Sequence, residues 1–490
     1  MEKTKNVFQG IHISRKFHKK KKAGTDVWFA ETCEHLQNKK IAPMVPDIFA
    51  SYSGPDEGLT IVHKNTENGP SNNSTAKQKT ILGAKNWSVK SRKAYAICMS
   101  LYDQNPVNGK ISGDPIADAF GICARKNNAL LVVADGVNWG EKSKMAARSA
   151  VYGCMKYMHE KVFCSGRNLK TTQEVLACLR RSFDCAHETI LQQEAGLTTL
   201  CAAMVVPLKD KKQYAVCVVN VGDSFAFVQS NANGFREITI GSHDIDSVRD
   251  IRDAGGALGP VDGTNPELHN LTCSMTIVDP GDIVFLTTDG ISDNFDPVVT
   301  KMAVPTKDDN SDEEESDSPS SPSSDSGIQA SANNNPVDFK PAMTPQERHQ
   351  FCVKGMERVL HEFELFAETP CCAQELCGAI VQHVTQLTDQ KRKVLENPEL
   401  YGKKLKSRQR KERDEKIVAS MRQAPGKLDH ATIVAYEVGN YHYDDENYDI
   451  ESSEDEEEDG EEAASMSTSN HSNSSPSRSR PNSVLFESAL

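Results

Sequence analysis

The sequence predicts an α+β fold, and three observations carry that expectation. Short apolar runs such as 94–101, 130–134 and 283–288 are separated by Asn/Gly turns, the pattern of antiparallel strands. Two stretches of helical period, 142–159 and 171–193, follow one another after several such runs. Three runs carry a carboxylate at one end: Asp135-Gly136 closes the first, Asp289-Gly290 closes the second, and Asp429 precedes the third, 431–436. Sheet ends hold a side chain more rigidly than loops do, so three such acids can converge on one point. Hard oxygen ligands suit magnesium or manganese.

A chain of 490 residues, 38% hydrophobic and 26% charged, exceeds one core, so one large domain with tails is expected. The net charge of -13 is unevenly spread, with basic blocks at 15–22 and 403–413 and acidic blocks at 308–317 and 444–462. That sign argues against dedicated nucleic-acid binding, which needs a basic footprint on the folded part. No run is apolar enough to cross a bilayer, and Met1-Glu2-Lys3-Thr4-Lys5 leads into no signal-peptide core. The expectation is a monomer without membrane association, intracellular, in the cytoplasm and/or nucleus. The 14 cysteines lie mostly inside apolar patterns and show no paired CxxC spacing, so they read as reduced packing residues.

In chain order, residues 1–84 read as a flexible basic and polar leader, whose cluster Arg15 to Lys22 fits either a nuclear address or a solvated tail. A folded domain is expected over 85–438. Its strands are read at 94–101, 117–123, 130–134, 197–206, 214–221, 225–229, 274–278 and 283–288, with a helical or turn segment at 246–256. The helix after Thr171 has a capped start in Thr171-Thr172-Gln173-Glu174. Residues 303–343, acidic and rich in Ser and Pro, cannot bury enough apolar surface to offset their ordering entropy and read as a disordered insertion. Helical pattern returns over 344–364 and 372–387. A charged stretch, 389–415, reads as an exposed helical insertion, and 439–490 as a disordered acidic, Ser-rich tail.

A single Asp-Gly at a strand end is more often an ordinary turn. An ordered set is more specific: Asp135-Gly136, Gly196-Leu197-Thr198-Thr199, Asn220-Val221-Gly222-Asp223-Ser224, Ala254-Gly255-Gly256, Thr288-Asp289-Gly290-Ile291-Ser292-Asp293 and Asp429-His430-Ala431-Thr432. This order resembles the metal-dependent protein serine/threonine phosphatases of type 2C, and in particular the divergent animal type 2C-like domain-containing proteins. The resemblance implies a four-layer α-β-β-α sandwich, two antiparallel sheets flanked by helix pairs, with two Mg²⁺ or Mn²⁺ at one end. By position Asp135 would bridge both metals, the Gly136 carbonyl would ligate one, and Asp289 and Asp429 would ligate the other. Asp118 stands where the family has the Asp of a Glu-Asp pair, and Asp293 would lie near a third, weaker metal position. In this chemistry the metals lower the pKa of a bridging water and neutralise phosphoryl charge during in-line attack, so no covalent nucleophile is needed.

The departures fall on groups that handle phosphate. The family's Glu falls on Ala117, its phosphate-binding Arg on Gly113, its His after Asp-Gly on Val137, its Gly-Gly on Asn138-Trp139-Gly140, and the Arg after Gly-Asp-Ser on Phe225. The Asn after the last Asp is His430, which reads as a supporting residue and not a ligand. Lys110 and Arg125 are the nearest basic candidates to replace the missing Arg, and Gly113→Arg with Ala117→Glu is the restoration the alignment implies. Three readings follow: weak metal-dependent hydrolysis of a phosphoprotein substrate, a catalytically impaired pseudophosphatase that serves a scaffold partner, and, third in order, a nuclear or RNA-associated factor that uses the two basic clusters.

Overall fold

The computed structural model describes residues 25–29, 38–56, 58–67, 80–166, 168–209, 211–239, 254–306, 340–366, 371–401 and 407–441. Strands β1 (Thr25–Phe29) and β2 (Ile48–Gly54) precede helix α1 (Thr60–Glu67), β3 (Ser88–Val89) and β4 (Ala94–Ser100). The hairpin β5 (Ala119–Arg125) and β6 (Asn128–Ala134) leads into α2 (Glu141–His159) and α3 (Thr172–Gln192). Next come β7 (Leu200–Pro207), β8 (Tyr214–Val221), β9 (Phe225–Ser230), β10 (Gly234–Glu237), β11 (Ala257–Asp262), β12 (Asn265–Glu267), β13 (Thr272–Val278) and β14 (Ile283–Thr287). The one-turn helix α4 (Asp289–Ser292) is followed by β15 (Val304–Pro305), β16 (Ala342–Met343), α5 (Pro345–Phe366), α6 (Ala373–Leu395), α7 (Ser407–Gln423) and β17 (His430–Glu437).

Among the described residues one sheet has the order β1-β13-β8-β7-β6-β5-β2-β3 and a second the order β10-β9-β14-β17-β4. Every pairing in both is antiparallel. Side chains alternate across a strand, and here both faces are buried. In β6, Leu130, Val132 and Ala134 pack with α2 and α3, while Ala129, Leu131 and Val133 face the second sheet. In β14, Val284 and Leu286 face the first sheet, while Ile283 and Phe285 pack with α5 and α6. This two-sided burial is why the runs read as unbroken apolar strands. Three cores result: one between α2, α3 and the first sheet, one between the two sheets, and one between the second sheet and α5 and α6.

The helices start where their caps predict. Thr171 Oγ1 accepts from the Glu174 backbone N–H, and Glu174 Oε2 accepts from the Lys170 N–H, closing the first turn of α3. Thr344 and Glu347 make the reciprocal pair of a capping box ahead of α5.

Several boundaries differ from expectation. Part of the expected leader is structured: β2 pairs with β5, and Leu59 and Val62 of the α1 segment join the helix-side core. The signal was weak because Ser51 and Ser53, both buried, interrupt the apolar pattern. At the other end the core runs past 438, since Tyr441 is buried and stacks edge-on against Phe49. The charged stretch 389–415 is not one insertion. Its first residues are the last turns of α6, where Thr388 and Lys391 are buried and Arg392 donates to the carbonyls of Leu101 and Thr385. The separate helix α7 has no buried residue, so charge alone misplaced the break. The ends of the acidic segment are held together by parallel pairing of Val304 with Ala342 and Pro305 with Met343. The disorder expected for most of 303–343, for much of 1–84 and for most of 439–490, and the segment expected at 246–253, lie outside the described residues.

Candidate functional site

Antiparallel pairing brings the expected acids to one end of the sandwich. Ala119 pairs with Ala134, so Asp118 and Asp135 flank neighbouring strand ends in the first sheet. Thr287 pairs with Ile433, so the C-terminal end of β14 and the N-terminal end of β17 adjoin in the second, bringing Asp289 and Asp429 together. Asp135 is pinned through its backbone: its N–H donates to Thr199 Oγ1 at 3.0 Å, and its carbonyl accepts from Thr198 Oγ1 at 2.7 Å and from the Thr199 N–H at 2.8 Å. Thr199 Oγ1 in turn lies 2.9 Å from Ser224 Oγ, which ties in the Gly222-Asp223-Ser224 turn. Gly136 has no room for a side chain, because a Cβ would stand 2.5 Å from the Ser143 carbonyl oxygen. Gly290 is under the same constraint, with a Cβ 1.8 Å from the His430 carbonyl oxygen.

Asp118 is fully buried between the sheets, and its Oδ2 accepts from Thr288 Oγ1 at 2.8 Å and Thr432 Oγ1 at 2.7 Å. Its Oδ1 is buried with no hydrogen-bond partner among the described residues. Burial, opposed by the two threonine hydroxyls and aided by Asp429 and Asp289, pushes the Asp118 carboxyl up to about 7. Asp135 is also held well above the usual carboxylate range, by burial first and then by Asp118, Asp289 and Asp429, and it lies within hydrogen-bonding reach of Asp289.

Sequence reasoning missed Lys427. Its Nζ contacts three carboxylates, 2.5 Å from Asp289 Oδ2, 2.9 Å from Asp293 Oδ2 and 3.0 Å from Asp429 Oδ2. Burial alone would depress this ammonium, but the three aspartates outweigh it and hold Lys427 well above its ordinary value. Asp429 rises to about 6, driven by burial and moderated by Lys427. Among the described residues no three His, Cys, Asp or Glu side chains form a ready-made metal-holding group. The donor chemistry nevertheless fits a hard cation. Among the described residues five carboxylates share one end of the sandwich with one ammonium, and the buried Asp118 Oδ1 has no partner.

The loop 101–118 closes one side. His430 is buried; its Nδ1 accepts from the Ala117 N–H at 3.3 Å and its Nε2–H donates to the Gly113 carbonyl at 3.0 Å. Burial pushes the imidazole down to about 4, so it is a neutral strut between loop and β17, in the supporting role expected. Tyr102 Oη donates to Asp429 Oδ1 at 3.1 Å and accepts from Trp139 Nε1 at 2.9 Å. Trp139 is 56% exposed, so an aromatic side chain stands at the mouth where the family has glycines.

The structure corrects one of the two expected substitutes for the missing arginine. Arg125 is buried at the far end of β5 against the Phe163 ring, roughly 20 Å from Asp118 at ~3.3 Å per strand residue. Lys110 is exposed on the loop. Gly113 has a φ of +77°, and a Cβ there would meet the Tyr102 ring at 2.6 Å, so an arginine does not fit as the alignment implied.

Residues 110–314 match the family model described as protein phosphatase 2C. This region is similar to the protein phosphatase 2C family. The PP2C-like domain-containing protein CG9801 of Drosophila melanogaster is 37% identical over 437 residues, covering 73% of this chain. The chain spans 62% of that relative's length. Solved structures similar to it include a bacterial serine phosphatase, 13% identical with a TM-score of 0.33 over 71% of this chain and 99% of that one. The SiaA-PP2C domain of Pseudomonas aeruginosa is 12% identical with a TM-score of 0.32, over 71% and 86% respectively. The family-model match leaves Lys427 and Asp429 outside it.

Proposed function

We propose that this chain hydrolyses phosphoserine or phosphothreonine in proteins, weakly, with Mg²⁺ or Mn²⁺ bound by Asp118, Asp135, Gly136 and Asp289, and with Asp293 and Asp429 completing the acidic wall. The observation that carries this reading is the convergence of five aspartates from both sheets around a buried carboxylate oxygen that has no partner among the described residues. A divalent ion bound there would supply hydroxide near neutral pH and offset phosphoryl charge. The chain's own contribution is positioning. Thr198 and Thr199 fix Asp135, Thr288 and Thr432 fix Asp118, and Tyr102 and Lys427 fix Asp429. No arginine fork stands at Gly113 to align a phosphate, and losing such a charge-assisted contact costs about 1.5–3 kcal/mol, a rate factor of roughly ten to two hundred.

A second reading, a catalytically impaired scaffold, is favoured by Lys427, whose ammonium already engages three of the five carboxylates. Turnover of a phosphopeptide and of a small aryl phosphate by the full chain, with and without Mn²⁺, separates the two. Slow Mn²⁺-dependent turnover that Asp135→Asn abolishes is the expected result. No turnover despite measured Mn²⁺ binding would establish the scaffold.

A further inference from the structure

Two observations at the carboxylate cluster point in opposite directions. Asp289, Asp293 and Asp429 all turn an oxygen to the same ammonium, at 2.5, 2.9 and 3.0 Å. By contrast, Asp118 Oδ1 is buried without a partner among the described residues, and Asp135 is crowded by three like charges. We propose that Lys427 is a resident cation that takes the place of a second divalent ion, so that the cluster binds one Mn²⁺ or Mg²⁺, held by Asp118 and Asp135 with Asp289 shared between that ion and Lys427, and not two. The inference rests on the metal-binding reading above, but concerns how many ions the site holds.

Lys427 is not a surface lysine that has folded into a gap. Asn294, fully buried, clamps its backbone from both directions: Asn294 Oδ1 accepts from the Lys427 N–H at 2.8 Å, and Asn294 Nδ2 donates to the Lys427 carbonyl at 3.1 Å. The same Nδ2 donates to the Gly290 carbonyl at 2.8 Å, locking the lysine to the turn that carries Asp289. Gly426 enters the site at a φ of +88°, with a Cβ position 2.8 Å from Thr388, a path that favours glycine. The ammonium therefore sits where the backbone has been shaped to hold it.

Chemistry follows from the substitution. A lysine gives one positive charge and three N–H donors where a divalent ion gives two charges and open coordination positions. It can hold Asp289, Asp293 and Asp429 ionised and in place, but it cannot acidify a water. With one ion at Asp118 and Asp135, charge compensation survives at reduced strength.

The test is Mn²⁺ stoichiometry, read by calorimetry and by the electron paramagnetic resonance of free and bound Mn²⁺, on the full chain and on Lys427→Ser. The expected result is one bound ion in the wild type, with an isolated-spin spectrum, and two in Lys427→Ser, with spin coupling between them. Lys427→Ser without metal should melt lower than wild type, and excess Mn²⁺ should recover more of its stability than it adds to wild type. Two ions in the wild type would overturn the proposal, and so would a folded Lys427→Ser that still binds one. Should Lys427→Ser fail to fold, the wild-type count decides alone. Binding of no ion overturns both this proposal and the metal-dependent reading, whereas two ions with turnover overturn only this one.

Discussion

His430 joins two backbones through one neutral ring, and that makes its protonation a stability matter. Its folded pKa of about 4 lies below the ordinary 6.5, so unfolding takes up a proton between those values. The contribution is complete above about pH 6.5 and is lost as pH falls toward 4, amounting to about 3 kcal/mol at most. Chemical denaturation of His430→Gln should therefore show a destabilisation of about 1–3 kcal/mol at pH 7 that shrinks by pH 4.5. A pH-independent difference would count against the neutral strut. Gly113→Arg belongs to the same scale. At a φ of +77° against Tyr102 it should cost about 1–3 kcal/mol and leave phosphatase turnover no higher, measured by melting and by aryl phosphate hydrolysis. A gain in turnover would restore the simple alignment. Lys427 was open to sequence reading only in part. It stands two residues before Asp429, so an extended chain puts both on one side, but its contacts to Asp289 and Asp293 depend on a turn about 135 residues away by count from the sequence.

At the scale of elements, the pairing of β15 with β16 holds the ends of the acidic segment side by side, so that segment leaves and rejoins the domain at one point. Replacing 307–339 with a short Gly/Ser linker should leave the melting temperature unchanged or raise it by a few degrees, because closing a shorter loop costs about 1–2 kcal/mol less entropy. A fall of more than about 5 °C would show that the segment supports the fold. What was legible at this scale follows from burial. Strands β6, β14 and β17, apolar on both faces, announced themselves, and α3 was marked by its Thr171 cap. Strand β2 did not, because its buried serines break the pattern while its edge partner β3 contributes only Ser88–Val89. The break between α6 and α7 was hidden because charged residues run through both, although only α6 turns a face to the core.

At the scale of the whole molecule, the two sheets meet at one end over five buried or half-buried aspartates, and a single lysine cannot neutralise them all. Without a bound divalent ion the folded state keeps protons that the unfolded chain releases near pH 4: Asp118 holds its proton up to about 7 and Asp429 up to about 6. A raised carboxylate pKa destabilises as pH rises from the unfolded value through the folded one, so metal-free stability should decline between about pH 4 and pH 7 on account of these groups. The His430 contribution has the opposite sign and is removed by comparing His430→Gln with and without metal. A divalent ion replaces the missing positive charge and binds only the folded state, which at a hundredfold excess over its Kd adds about 2.7 kcal/mol. Melting curves of the full chain at pH 5.0, 6.0 and 7.5, with chelator and with millimolar Mn²⁺, should therefore diverge as pH rises, the Mn²⁺ gain being greatest at pH 7.5 and smallest at pH 5.0. Asp135→Asn should lose most of that gain while raising metal-free stability at pH 7.5, because it removes one of the mutually repelling acids. Equal curves with and without Mn²⁺ at pH 7.5 would mean that the carboxylate cluster is balanced by protons and Lys427 alone.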